Sequence, residues 1–121
     1  MNVVDSSAWL EYFANTPAAG TFARAIEDTA SLLVPTICLY EVTKVVRRQR
    51  GAQSADEAAA LMTQARVIGL TTELALLAST YQLPLADSII YATAQKHRAT
   101  LWTQNDHFQG LPGVRFFAKR A

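Results

Sequence analysis

The sequence predicts an α/β fold in which a parallel sheet is covered by helices on both faces. Three observations lead there. Short apolar runs alternate with longer stretches of helical spacing. Most runs stop on a residue that turns or caps the chain, as at Asp5, Pro35-Thr36 and Gly69 to Thr72. Half the residues are hydrophobic and only 17% are charged, the composition of a compact globule and not of a disordered segment.

The elements follow in order. Val3 and Val4 form a short buried strand ending at Asp5. A first helix carries Trp9, Leu10 and Phe13 on one face, with Ser6 and Ser7 as capping hydroxyls. Asn15-Thr16-Pro17 breaks it, and Pro17 suits the first position of a second helix running to about Asp28. Ser31 to Val34 is a strand ended by Pro35. Thr36 is expected to cap a helix from Ile37 to about Gln49, with Gly51 just past its end. Ser54-Ala55-Asp56-Glu57 has the capping-box form and is expected to open an alanine-rich helix to about Arg66. Val67 to Leu70 is a strand, and Thr71 or Thr72 caps a helix through Tyr81. Leu83 to Ala86 is a tight loop before a helix from Asp87 to about Arg98. Thr100 to Thr103 is the fourth strand. A loop from Asn105 to Gly113, with room for one helical turn, leads to an edge strand from Val114 to Phe117.

One domain spans residues 1–121, with no internal repeat or linker. Cys38 is the only cysteine, so no internal disulfide forms, and no Cys/His zinc pattern exists. No apolar run reaches membrane-spanning length and no signal-like stretch precedes the first strand. The expectation is a cytoplasmic protein with no membrane partner. The net charge of +1 neither demands nor excludes a nucleic acid. Lys44, Arg47, Arg48 and Arg50 cluster, as do Lys96, His97 and Arg98. Either group can face phosphates or simply complement a helix C-terminus.

The ten carboxylates sort by position. Asp56, Glu57 and Glu73 fit first helical turns. Glu27 and Asp28 fit a solvated turn, and Glu11 the exposed side of the first helix. Asp5, Glu41, Asp87 and Asp106 remain. Asp5 and Asp106 follow strands, where the crevice of an open α/β sheet lies. Glu41 borders Ile37, Cys38 and Val45 on an apolar helix face, and Asp87 heads a strongly apolar helix. Each has an ordinary alternative as a cap, turn or surface residue. Together they can converge. Two carboxylates about 4 Å apart repel by roughly 4 kcal/mol at an effective dielectric of 20, so a shared pocket needs protons or a cation. Oxygen-only ligands without His or Cys point to Mg²⁺ or Mn²⁺, and so to metal-assisted phosphodiester hydrolysis.

The arrangement resembles the PIN-domain ribonucleases, specifically the VapC toxins of bacterial type II toxin–antitoxin pairs. The resemblance covers essentially the whole chain. It rests on Val4-Asp5-Ser6-Ser7-Ala8-Trp9-Leu10, on Glu41, and on Leu83-Pro84-Leu85-Ala86-Asp87-Ser88-Ile89-Ile90-Tyr91-Ala92-Thr93-Ala94. It continues through Leu101-Trp102-Thr103-Gln104-Asn105-Asp106-His107-Phe108 and Leu111-Pro112-Gly113-Val114. It implies a three-layer α/β/α sandwich with a central, mostly parallel sheet of four to five short strands. It also implies a Mg²⁺- or Mn²⁺-dependent endoribonuclease. Asp5, Glu41 and Asp87 match the first three acids of that family. The fourth, normally in Thr-x-Asp, falls on Asn105, so either Asp106 takes its role or Asn105 serves as a neutral oxygen ligand. Thr103 matches the motif's hydroxyl, and Ser6 the hydroxyl beside the first acid.

Asp5 and Asp87 are expected to hold the metal, with Glu41 and Asp106 completing the cage. Lys44 and Arg48, at i+3 and i+7 from Glu41, are expected to hold RNA phosphates. His97 and His107 read as structural or solvated, and Trp9 and Trp102 as core. The resemblance further implies a cognate antitoxin of the VapB kind that blocks the acidic pocket, and a homodimer formed through apolar patches on the first helices. The alternative is a PIN-like module that has lost catalysis and only binds an antitoxin or RNA, which Asn105 favours. A phosphatase using an Asp-x-Asp nucleophile is disfavoured, because Asp5-Ser6-Ser7 lacks the second acid.

Overall fold

The computed structural model describes residues 1–119. Its five strands are β1 (Asn2–Val4), β2 (Leu32–Pro35), β3 (Arg66–Ile68), β4 (Thr100–Thr103) and β5 (Val114–Phe116). They form one sheet in the order β3-β2-β1-β4-β5, and every neighbouring pair is parallel. The six helices are α1 (Ser6–Ala14), α2 (Ala19–Glu27), α3 (Thr36–Arg50), α4 (Ala52–Met62), α5 (Thr72–Ala78) and α6 (Leu85–Lys96). The alternation read from the apolar runs is the one found.

The three inner strands explain why those runs do not alternate polar with apolar. Val3, Val4, Leu33, Val34 and Leu101 are wholly buried, since helices cover both faces of the sheet. Each such side chain contributes roughly 1.5–3 kcal/mol by leaving water. β3 lies at one edge, and its Val67 is exposed. The other edge strand, β5, joins β4 through a loop containing a single 3₁₀ turn, Asp106–Phe108, whose Phe108 plugs into the core.

The element boundaries differ where caps were inferred from side chains. Asp5 caps α1, accepting from Ala8 N at 3.1 Å, so the hydroxyls of Ser6 and Ser7 are free for other partners. Pro17 precedes α2, which starts at Ala19. Pro35, still in β2, holds the cap position of α3, and Thr36 is already helical. Ser54 to Glu57 lies inside α4, which starts straight after Gly51. Gly51 adopts φ 93° and ψ 176°, a conformation open essentially to glycine, and so ends α3 and starts α4 without a linker. Ala55 and Met62 of α4 share the buried core with Val42 and Val46 of α3. Thr71 does cap α5, accepting from Leu74 N at 3.1 Å. The expected helices ending at Arg66, Tyr81 and Arg98 end instead at Met62, Ala78 and Lys96, and the third strand begins one residue early, at Arg66.

The chain moves outward from β1 through β2 to β3, then returns to the far side of β1 for β4 and β5. The carboxyl ends of β1 and β4 therefore flank a topological switch point, the place where open α/β sheets leave a crevice. Large exposed apolar side chains are Met1, Tyr40, Val67, Leu70, Leu76 and Leu85. None belongs to α1 or α2, where apolar patches for self-association are expected from the sequence.

Candidate active site

Asp5 sits at that switch point, immediately after β1, and is 3% exposed. Its Oδ1 accepts from Ala8 N and, at 3.0 Å, from Ser7 Oγ. Its Oδ2 accepts from Thr103 Oγ1 at 2.7 Å. Thr103 ends β4 and is wholly buried, and its hydroxyl also accepts from Asn105 N at 2.9 Å. One hydroxyl thus ties β4 both to the first acid and to the loop that follows. Burial still outweighs these donors and pushes the Asp5 carboxyl up to about 6, with the charge of Asp87 adding to the effect.

Glu41 projects from the second turn of α3, half-buried, and its Oε1 accepts from Ser6 Oγ at 2.7 Å. Asp87 is the third residue of α6 rather than its cap, near the positive end of the helix dipole. Asn105 Nδ2 donates to both its oxygens, at 3.4 and 3.3 Å. His107 Nδ1 lies 2.7 Å from Asp87 Oδ2, within hydrogen-bonding distance. Asn105 Oδ1 accepts from His107 N at 3.0 Å, and this turn carries the imidazole back over Asp87.

Asp5, Ser6, Ser7, Glu41, Asp87 and Asn105 line one pocket of about 250 Å³, walled by Leu10, Val45 and Ile90. Asp106 is exposed and lines no part of it. Lys44 and Arg48 line a separate, shallower depression with Tyr40, Thr43 and Arg47. The two hollows share helix α3 but no lining residue. Two participants escaped the sequence reading. Ser7 looks like a spare cap, and His107 like a solvated loop residue. Only the Asn105 turn, which needs Asn or Asp two positions before the His, hints at the latter. Trp9 and Trp102 are core residues as expected. His97 Nδ1 lies 2.9 Å from Thr93 O at the end of α6, away from the pocket.

The donor set is oxygen from carboxylates, hydroxyls and one amide, and among the described residues no Lys or Arg lines the pocket. That chemistry suits a hard divalent cation. Among the described residues no three of His, Cys, Asp and Glu are already gathered to ligate one ion. Each acid instead rests on a protein donor: Asp5 on Thr103, Glu41 on Ser6, Asp87 on Asn105 and His107. Magnesium commonly binds through one or two carboxylates and keeps several waters, for which the pocket has room. The residues present therefore fit such an ion.

No curated protein matches the sequence. Solved structures do. A toxin–antitoxin complex from Klebsiella pneumoniae superposes with a TM-score of 0.81 at 24% identity, covering 98% of this chain and 100% of that one. The VapC20 toxin of Mycobacterium tuberculosis, described as cleaving the sarcin–ricin loop, gives 0.76 at 22% identity, with full coverage of both chains. VapBC2 from Rickettsia felis, bound to a DNA fragment from its promoter, gives 0.71 at 13% identity and 97% coverage of each. At these identities the likeness speaks for the fold. The family model for the PIN domain matches residues 3–114, spanning β1 to the start of β5 and every residue that lines the acidic pocket. The chain belongs to the PIN domain family.

Proposed function

We propose that this protein is a Mg²⁺- or Mn²⁺-dependent endoribonuclease, the toxin of a toxin–antitoxin pair, working in the cytoplasm and held in check by a small cognate antitoxin. The observation that carries the reading is the convergence of Asp5, Glu41 and Asp87 on one pocket at the sheet's switch point, in a PIN-domain chain. The structural neighbours, a toxin–antitoxin complex and a toxin described as cleaving the sarcin–ricin loop, support the substrate and the partner.

Asp5 and Asp87 hold the cation. When bound, it lowers the pKa of a water and offsets charge growing on the phosphoryl oxygens. Glu41, steadied by Ser6, orients the attacking water and accepts its proton. Thr103 fixes the rotamer of Asp5 from the floor of the site. Asn105 takes the fourth position in place of Asp106, because it lines the pocket and Asp106 does not. Its amide and His107 set the orientation of Asp87. Lys44 and Arg48 hold the RNA backbone beside a pocket that would otherwise repel it. The antitoxin and a homodimer belong to the same reading, and the apolar side chains exposed around β3 and α5 offer contact surface.

The test is incubation of bacterial RNA with purified, antitoxin-free protein in Mg²⁺, Mn²⁺ or EDTA, beside Asp5→Asn. Discrete fragments that need metal and vanish in the variant are expected. A folded protein that cuts nothing in any metal would favour the second reading, a binding module without catalysis. Asn105 in place of a fourth acid is the observation on that side.

A further inference from the structure

Beside the acidic pocket, helix α3 carries a feature that hydrolysis alone does not explain. Tyr40 is a large aromatic left 57% exposed, immediately before Glu41 in the chain. Three cations, Lys44, Arg47 and Arg48, line the same depression of about 400 Å³. Lys44 Nζ donates to Tyr40 Oη at 3.1 Å and stands 5.3 Å from the ring centroid, holding the ring in one orientation. At 100° per residue, Arg48, Lys44 and Tyr40 lie about 20°, 60° and 100° round the helix from Glu41, all to the same side. The strip thus borders the pocket on the Glu41 side, within reach of a strand whose phosphate enters there.

Phosphates and bases make different demands, and the strip meets both. The three cations complement a polyanion, while the ring is mostly exposed and, among the described residues, meets no other cation or aromatic ring beyond Lys44. An exposed aromatic framed by Lys and Arg is the arrangement by which single-stranded RNA is gripped, bases on rings and phosphates on cations. An apolar protein surface would use the ring but leave three cations unmatched, so the charge calls for a polyanion, and the acidic pocket read as a ribonuclease site beside it makes RNA that polyanion.

We propose that Tyr40 is a base-stacking platform, holding an unpaired nucleobase of the substrate next to the scissile phosphate, with Lys44 bracing the ring and, together with Arg47 and Arg48, engaging the backbone. The inference rests on the ribonuclease reading for its substrate class, but it is tested by binding and not by cleavage. It also makes the preferred substrate single-stranded or looped RNA, since a paired base cannot leave its stack without cost.

The experiment measures affinity for a fluorescein-labelled, unstructured 12-nucleotide RNA, in EDTA so that no cleavage is required. A second strand of the same length and charge carries abasic sites at its centre. Tyr40→Ala is expected to weaken binding of the intact strand about five- to tenfold and to leave the abasic strand nearly unchanged. Tyr40→Phe and Tyr40→Trp should retain affinity, and Lys44→Ala should lower the salt dependence for both strands. The proposal is overturned if Tyr40→Ala binds the intact strand as the wild type does, or loses as much on the abasic one. It is equally overturned if Tyr40→Phe is as weak as Tyr40→Ala. If Tyr40→Ala instead loosens a protein partner while RNA affinity holds, the face belongs to that partner. Metal-dependent cleavage with unchanged Tyr40→Ala binding would sink this inference and leave the ribonuclease standing. Cleavage absent with stacking intact would do the reverse.

Discussion

At the residue scale the account turns on Asp5, whose carboxyl must be charged to hold a cation yet sits where charge is costly. Its proton affinity is raised on folding, from the usual aspartate value of 3.8 to about 6. The native state therefore binds more protons than the unfolded state between those values, and stability falls as pH rises through them. In EDTA, urea denaturation should show a loss of roughly 2–3 kcal/mol from this group between pH 4 and pH 7. Asp5→Asn should remove that loss and be more stable than wild type at pH 7.5, while abolishing cleavage. The amide can accept from Ala8 N and donate to the hydroxyl of Thr103, which can rotate to receive it. Equal stability of wild type and variant across the pH range would show that Asp5 is not held in this environment. Asn105→Asp tests the same logic from the other side. A fourth carboxylate against Asp87 should lower, severalfold, the Mn²⁺ concentration giving half-maximal cleavage, read from a metal titration. An unchanged or raised requirement would mean that position 105 does not face the ion.

At the element scale the strands and helices were legible because they carry physical periodicity, and their ends were not. Apolar runs such as Leu32-Leu33-Val34 and Leu101-Trp102 announce buried parallel strands without further help. The capping-box reading of Ser54 to Glu57 failed because a backbone conformation at Gly51, invisible as a side-chain pattern, had already started the helix. Asp5, Glu41 and Asp87 stood out as acids against apolar neighbours. The roles of Asn105 and His107 were hidden, because contact with Asp87 depends on how the loop after β4 folds back over α6. Gly51 offers the sharpest test at this scale. Beyond its own chain neighbours, no heavy atom of the described residues lies within 4 Å of where its Cβ would sit, so Gly51→Ala meets no distant clash, only backbone strain. It should lower stability by about 1–3 kcal/mol in thermal melts while leaving RNA affinity intact. No loss would mean that the α3–α4 junction relaxes into an ordinary conformation.

At the scale of the whole molecule, strand order creates the site. Because the chain returns across β1 to lay down β4, the first residue after β1 and the loop after β4 face one crevice, and the helices preceding and following the inner strands supply Asp87 and Glu41. Residues more than eighty positions apart meet there, as Asp5 and Thr103 do. A cation held by Asp5 and Asp87 should stabilise the entire fold by mass action. At Mn²⁺ a hundredfold above its dissociation constant the gain is about 2.7 kcal/mol. For a chain of this length that corresponds to a rise in Tm of roughly 10 °C. Asp87→Asn should lose most of that rise, as scanning calorimetry would record. The most direct measurement of the central claim is anomalous diffraction from crystals soaked in Mn²⁺ at a concentration that sustains RNA cleavage. The account predicts a peak in the pocket within about 2.5 Å of an oxygen of Asp5 or Asp87, or one bridging water away. A peak elsewhere, or none while the same preparation cleaves RNA, would contradict it.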